Sequence, residues 1–253
     1  MIPKIIHYCW FGGKPLPKLA EKCIASWKEF CPDYEIRRWD ESNTNLNAND
    51  YICEAYENKK WAFITDYIRL KVLYEIGGIY MDTDVQVCKS LDPFLFDAAF
   101  SGFENEYQIP TGIMASEAGH PFLKELLAYY EGRHFIKADG SFDQTTNVET
   151  TTRIGLKNGL IPNDTKQTIC GMTFYPHDVF CPKSHVTGEI NRTESTVCVH
   201  HFDGSWKTET ERKSIELSQS LNRKYGEIGN LMFKIYKYGR NPNEIIRKIL
   251  NGK

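Results

Sequence analysis

The stretch from Trp61 to Asp84, WAFITDYIRLKVLYEIGGIYMDTD, decides the fold class. Its apolar residues Trp61, Ile64, Ile68, Val72 and Ile76 recur at three- and four-residue steps, which predicts a helix over Trp61 to Ile76. Gly77-Gly78 follow and supply the positive φ that ends such a helix. From Ile79 to Val87 the period changes to two. Ile79, Met81, Thr83, Val85 and Val87 fall on one face, and Tyr80, Asp82, Asp84 and Gln86 on the other. A helix, a double-glycine turn and a strand make an α/β unit, and carboxylates at a central strand exit stand where open sheets of this class hold ligands.

Two candidate sites lie within this stretch. Asp82 and Asp84, two residues apart on one strand face, are expected about 7 Å apart, close enough to share a hydrated cation. Oxygen ligands without nearby thiols favour Mn²⁺ or Mg²⁺ over zinc; the alternative is a solvated strand face. Asp66 and Arg69, at i and i+3, share one helix face. They form either a surface ion pair or, given the apolar neighbours Phe63, Ile64, Ile68 and Leu70, a partly buried pair able to hold sugar hydroxyls or a phosphate.

Outward from this core, Ile2 to Trp10 reads as a buried strand closed by Gly12-Gly13, Lys18 to Phe30 as a helix stopped by Pro32, and Tyr34 to Trp39 as a strand. Asp40 to Asp50 is a polar loop. Strands follow at Ala98 to Phe103 and Ile113 to Ala115, then a helix at Pro121 to Tyr130 and a polar, Thr-rich span from Gly132 to Gly159. Thr173 to Phe180 and Ser195 to His201 are expected as late strands, and the chain from Thr208 onward as helical. Trp10, beside two glycines, is either a core aromatic or a platform for a nucleobase. In HHFDGSW (His200 to Trp206) adjacent histidines on a strand face opposite ways, so one of the two can complete an oxygen-rich cation shell. Ser205 and Trp206 offer a hydroxyl and an indole N–H to a phosphate.

Composition narrows the classes. The 253 residues carry a net charge of -2, which argues against a nucleic-acid binder that relies on overall charge. No apolar run is long enough to span a bilayer, and the N-terminus lacks the features of a signal peptide. The eight cysteines include no C-x-x-C pair, so reduced thiols in a cytoplasmic protein are expected. From Asn222 onward the formal charge is +6, with Leu231, Met232, Phe233, Ile235 and Tyr236 interleaved. This tail reads either as a membrane-surface contact or as a helix packed on the domain.

The segments IPKIIHYCWFGG (Ile2 to Gly13), AFITDYIRLKVLYEIGGIYMDTD (Ala62 to Asp84) and HHFDGSW, in this order, resemble glycosyltransferase family 32. This is the family of DXD-motif capsular and lipopolysaccharide sugar transferases, related to fungal mannosyltransferases and more distantly to clostridial glucosylating toxins. The resemblance implies a GT-A fold, a Rossmann-like α/β nucleotide-sugar domain with a mixed central sheet over residues 1–207. A helical, basic extension would follow over 208–253. It also implies a metal-dependent retaining transfer of a hexose from a nucleotide-sugar, with a UDP-sugar favoured and UDP-galactose and UDP-glucose among the candidates. The acceptor would be a growing, lipid-linked capsular, exopolysaccharide or lipopolysaccharide oligosaccharide at the inner face of the plasma membrane. By motif position, the loop at Trp10 would receive the base, and Asp66 and Arg69 the donor sugar. Asp82 would lie near ribose and metal, Asp84 would ligate the metal directly with His201 or His200, and Ser205 and Trp206 would approach the diphosphate. Thr111, in the turn Pro110-Thr111-Gly112, departs from the Asn of many relatives. No catalytic base is assigned. The alternatives are a metal-dependent nucleotidyltransferase, disfavoured by the absence of a Gly-rich loop with Lys, and a silent sugar-binding module, in which both aspartates would be superfluous.

Overall fold

The computed structural model describes residues 1–205 and 207–238. The chain forms two compact units, one of residues 1–182 and 191–201, the other of residues 183–190 and 202–253. Residues 183–190 fall in the second unit together with 202–253.

The first unit is the expected mixed α/β sheet. In chain order its elements begin with β1 (Ile5–Cys9), α1 (Lys18–Phe30), β2 (Glu35–Trp39), α2 (Asp50–Glu57), α3 (Trp61–Glu75), β3 (Gly78–Met81) and β4 (Val85–Val87). They continue with β5 (Ala99–Gly102), β6 (Ile113–Ser116), α4 (Pro121–Ala128), α5 (Asn147–Lys157), β7 (Gln167–Ile169), β8 (Met172–Tyr175), α6 (His177–Phe180) and β9 (Cys198–His200). Seven strands form one sheet in the order β2-β1-β3-β6-β5-β8-β7, and β4 and β9 pair in a small second sheet. β1 runs parallel to β2 and β3, whereas β6 is antiparallel to both β3 and β5.

Strand alternation distributes two cores. Tyr80, Ala99 and Met114 point into a cluster with Tyr51, Ile52, Ile64, Ile68, Phe122 and Ile154, from α2 to α5. Ile79, Met81 and Phe100 point the other way, towards Trp27 of α1, Phe180 of α6 and Val85 and Cys198 of the small sheet. Apolar residues on both faces explain why β3 is a continuous buried run.

Two expectations are corrected, and one span left without an assignment gains a helix. The strand foreseen over Ile79 to Val87 breaks after Met81: the Asp82 N–H donates to the Gly112 carbonyl at 2.8 Å and the Val85 N–H to the Asp82 carbonyl at 3.0 Å, forming a turn. The chain then leaves the large sheet, because Trp27 Nε1 donates to the Val85 carbonyl at 2.7 Å and Ser26 Oγ accepts from the Val87 N–H at 3.0 Å, anchoring β4 on α1. The strand foreseen over Thr173 to Phe180 ends at Tyr175, where Pro176 cannot extend a ladder and instead starts α6. The span Gly132 to Gly159 contains α5, whose Thr150, Thr151 and Thr152 are poor helix formers held in place by burial.

The C-terminal unit holds α7 (Glu209–Tyr225) and α8 (Glu227–Tyr238). Thr208 and Glu211 form a reciprocal cap at the start of α7, and Gly226 ends it. Gln219 and Asn222 of α7 hold the carbonyls of His185 and Val186. Among the described residues no helix is long and apolar enough to cross a membrane.

Candidate functional site

α3 and β3 bring the site together at the exit of a central strand. Gly77 and Gly78, with φ of 76° and 110°, reverse the chain between them. A Cβ at Gly78 would stand 2.7 Å from the Ile5 carbonyl oxygen of the neighbouring strand, so this crossing also needs the missing side chain.

Arg69, 5% exposed, is the hub. Its Nη2 lies 3.1 Å from Asp66 and 3.4 Å from Asp82. Its Nη1 donates to the carbonyl and hydroxyl of Thr111 at 2.6 and 3.1 Å, and the guanidinium rests on the Tyr80 ring at 4.7 Å. The Asp66–Arg69 pair is therefore buried, the second of the two readings its neighbours allowed. Burial pushes the Asp66 carboxyl up to about 6, with Arg69 pulling against it. Burial also works against the Arg69 charge, but Asp82, Tyr80 and Asp66 outweigh it and hold the guanidinium above its ordinary pKa. Asp66 is fixed from the other side by Asn147 at the start of α5, whose backbone N–H donates to Oδ2 at 3.3 Å and whose Nδ2 donates to the Asp66 carbonyl at 3.1 Å. Asn147 Oδ1 and the hydroxyls of Thr150 and Thr151 are buried with no partner among the described residues.

Asp82 joins this clamp to a second cluster. Its Oδ1 accepts from Tyr80 at 2.9 Å and faces Arg69, while its Oδ2 lies 4.0 Å from His200 Nε2. The same Nε2 is 3.3 Å from Asp84 Oδ1. One ligand atom each from Asp82, Asp84 and His200 lies within 4.8 Å of the others. The turn at 82–85 produces this approach, because on a regular strand the two carboxylates would stand about 7 Å apart. His200 arrives through the small sheet, where Val85 stands opposite His200. His201 turns away, its Nε2 3.1 Å from Gln86 Oε1, as alternation on a strand requires. Burial opposes a charged His200, yet Asp84 lifts its pKa well above the usual imidazole value. Two carboxylates and one imidazole fit a hard divalent cation such as Mn²⁺ or Mg²⁺.

The remaining residues are placed as follows. Trp10 lies just past β1, half-buried, with Nε1 donating to the Lys14 carbonyl at 2.6 Å. Ser205 is exposed in the C-terminal unit, and Trp206 lies outside the described residues. Tyr80, Thr111, Gly112 and Asn147 complete the site without having been singled out as ligands. Tyr80 was legible as a same-face neighbour of Asp82, whereas nothing in the sequence ties Asn147 to Asp66, 81 positions away.

A buried Asp–Arg clamp thus adjoins an Asp-x-Asp-His cluster able to hold a cation at a strand exit. Residues 17–101, which include the clamp and both aspartates, match the family model described as the glycosyltransferase sugar-binding region containing the DXD motif. The chain is 34% identical over 133 residues to inositol phosphoceramide mannosyltransferase 3 of Schizosaccharomyces pombe, covering 50% of this chain and 36% of that protein. It is 31% identical over 143 residues to a mannosyl phosphorylinositol ceramide synthase of Saccharomyces cerevisiae, covering 54% of this chain and 37% of the relative. The chain thus spans little more than a third of the length of these relatives. Among solved structures, the PaToxG glycosyltransferase is similar at a TM-score of 0.46 and 18% identity, over 62% of this chain and 68% of that one.

Proposed function

We propose that the protein is a metal-dependent, retaining GT-A glycosyltransferase that moves a hexose from a nucleotide-sugar to a lipid-linked acceptor. The observation that carries this reading is the sharing of Asp82 between the Arg69–Asp66 clamp and the Asp84–His200 pair. Asp82, Asp84 and His200 would hold Mn²⁺ or Mg²⁺. When bound, the cation supplies electrostatic stabilisation to the departing nucleoside diphosphate. Asp66, fixed by Arg69 and Asn147, orients the hexose, and the partnerless groups of Asn147, Thr150 and Thr151 are available to sugar hydroxyls. The bond from the anomeric carbon to the β-phosphate oxygen breaks, and the bond to the acceptor oxygen forms on the same face. The acceptor's proton passes to the leaving phosphate oxygen, so no protein base is needed. Trp10 would stack the base.

Two donor classes follow from two sources: UDP-galactose or UDP-glucose from the likeness to capsular and lipopolysaccharide transferases, and a mannosyl donor from the names of the fungal relatives. Their acceptors share a lipid-linked, polar headgroup at a membrane surface. α8 is suited to that surface. Ile228, Leu231, Met232, Ile235 and Tyr236 are all exposed and follow the i, i+3, i+4, i+7, i+8 pattern of a single helix face, with Lys234 and Lys237 beside them. The protein would then work peripherally at a cytoplasmic membrane face.

Nucleoside diphosphate release from UDP-galactose, UDP-glucose, UDP-GlcNAc and GDP-mannose, with Mn²⁺ or with EDTA, tests the proposal. We expect Mn²⁺-dependent turnover of one donor class, abolished by EDTA and by Asp84→Ala in a folded variant. Near wild-type turnover by Asp84→Ala in EDTA would refute it.

A further inference from the structure

The turn formed by Thr111 and Gly112 meets the site at three points. Thr111 accepts both hydrogen bonds from Arg69 Nη1. The Gly112 carbonyl accepts from the Asp82 N–H at 2.8 Å, which fixes the start of the turn that carries both aspartates. The third point is the Gly112 α-carbon itself, which faces the His200 imidazole. A Cβ built there would lie 2.8 Å from both Cε1 and Nδ1 of His200 and 3.3 Å from its Cγ. Gly112 is outside the positive-φ region, so its backbone would accept alanine. The three atoms nearest to such a side chain all belong to the imidazole. The buried Cys181 thiol also neighbours the ring.

We propose that Gly112 is a positioning residue: its missing side chain sets the His200 imidazole against Asp82 and Asp84, and its peptide links that setting to the Arg69 clamp. The proposal deepens the cation-site reading of Asp82, Asp84 and His200 and rests on it. Non-bonded carbon atoms settle at about 3.5 Å or more, so a Cβ would drive the ring back by roughly 0.7 Å. Ligand distances in cation sites tolerate shifts of about 0.2 Å. The displacement is several times that tolerance, and it acts on the one imidazole in the cluster. One turn therefore sets both halves of the site: through Thr111 it holds the Arg69 guanidinium on the sugar side, and through Gly112 it leaves room for the imidazole on the metal side.

The test combines crystal structures of wild type and Gly112→Ala with Mn²⁺ titrations, read by electron paramagnetic resonance, of wild type, Gly112→Ala, His200→Ala and the double variant. We expect the 3.3 Å separation of His200 Nε2 from Asp84 Oδ1 to lengthen in the Gly112→Ala crystal. Mn²⁺ affinity should fall by about 10- to 100-fold on Gly112→Ala, as for other substitutions that move a ligand indirectly. In the His200→Ala background the same substitution should change affinity by less than about twofold, because the group it displaces is gone. An imidazole that keeps its place in the Gly112→Ala crystal overturns the proposal, as does an equal affinity loss with and without His200. If wild type binds no Mn²⁺, the cation reading fails, while the crystal comparison still decides whether Gly112 positions His200.

Discussion

Replacing Arg69 with methionine keeps the volume of the side chain and removes its charge and donors. Arg69 is 5% exposed, so nothing but protein replaces what it loses. Asp66 and Asp82 are then left facing each other, the Thr111 carbonyl loses its 2.6 Å donor, and the Tyr80 ring loses its cation. Removing one partner of a buried pair costs about 3–5 kcal/mol, and an orphaned buried acceptor about 1–3 kcal/mol, part of which methionine packing recovers. We expect a net loss of about 4 kcal/mol at pH 7.5. The loss depends on pH with a definite sign. The folded Asp66 pKa, already up to about 6, rises further once the guanidinium is gone. A carboxyl with a raised folded pKa favours the native state at low pH and loses that contribution as pH rises through the folded value. The penalty should therefore be smaller at pH 5 than at pH 7.5. Urea unfolding in EDTA, followed by tryptophan fluorescence, reads this unit because Trp10, Trp27, Trp39 and Trp61 all lie in it. Adding Asp66→Asn to Arg69→Met should restore part of the loss at pH 7.5. A loss below about 1 kcal/mol, or one equal at both pH values, would refute the assignment of Arg69 as the charge that makes the two carboxylates compatible.

Two further outcomes can be measured independently. His7 is fully buried, accepts from Trp39 Nε1 at 3.1 Å and contacts the Gly77 carbonyl at 2.9 Å; burial lowers its pKa to about 4. The unfolded chain takes up the proton first, so His7 withdraws up to about 3 kcal/mol of stability as pH drops from about 6.5 to about 4, opposite in sign to Asp66, and the difference between wild type and His7→Gln should shrink by that amount over the window. For α8, Leu231→Glu with Ile235→Glu should lower binding to anionic vesicles at least tenfold, by an estimate of about 1.5 kcal/mol or more per buried side chain, and leave nucleoside diphosphate release intact. Wild-type binding that is insensitive to salt and to lipid charge would remove the membrane-surface role.

The sequence was most legible where one period ruled a whole element. α1 matches its expected bounds, and α3 ends one residue short of them. Asp66, Arg69, Asp82 and Asp84 were all read from a single stretch, and the structure gathers them. What escaped was set by contacts remote in sequence. The period-two run from Ile79 to Val87 gives no hint that α1 captures Val85 and Val87. The Thr-rich α5 is helical against its own propensities because Thr150, Thr151 and Ile154 are buried. The choice between His200 and His201 depended on register with β4, which no local pattern encodes.

The small sheet has a consequence for synthesis of the protein. β4 is made early, but its partner β9 comes more than a hundred residues later, with Gln86 and His201 already 115 positions apart. A nascent chain can assemble β1, β3, β6 and β5, and with them Asp66, Arg69, Asp82 and Asp84, before His200 has left the ribosome. The Asp66–Arg69–Asp82 clamp is thus complete before the cluster with His200 is. A chain stalled before residue 200 would carry the two aspartates without the imidazole, so the cluster of Asp82, Asp84 and His200 awaits one of the last pieces of the first unit to be made.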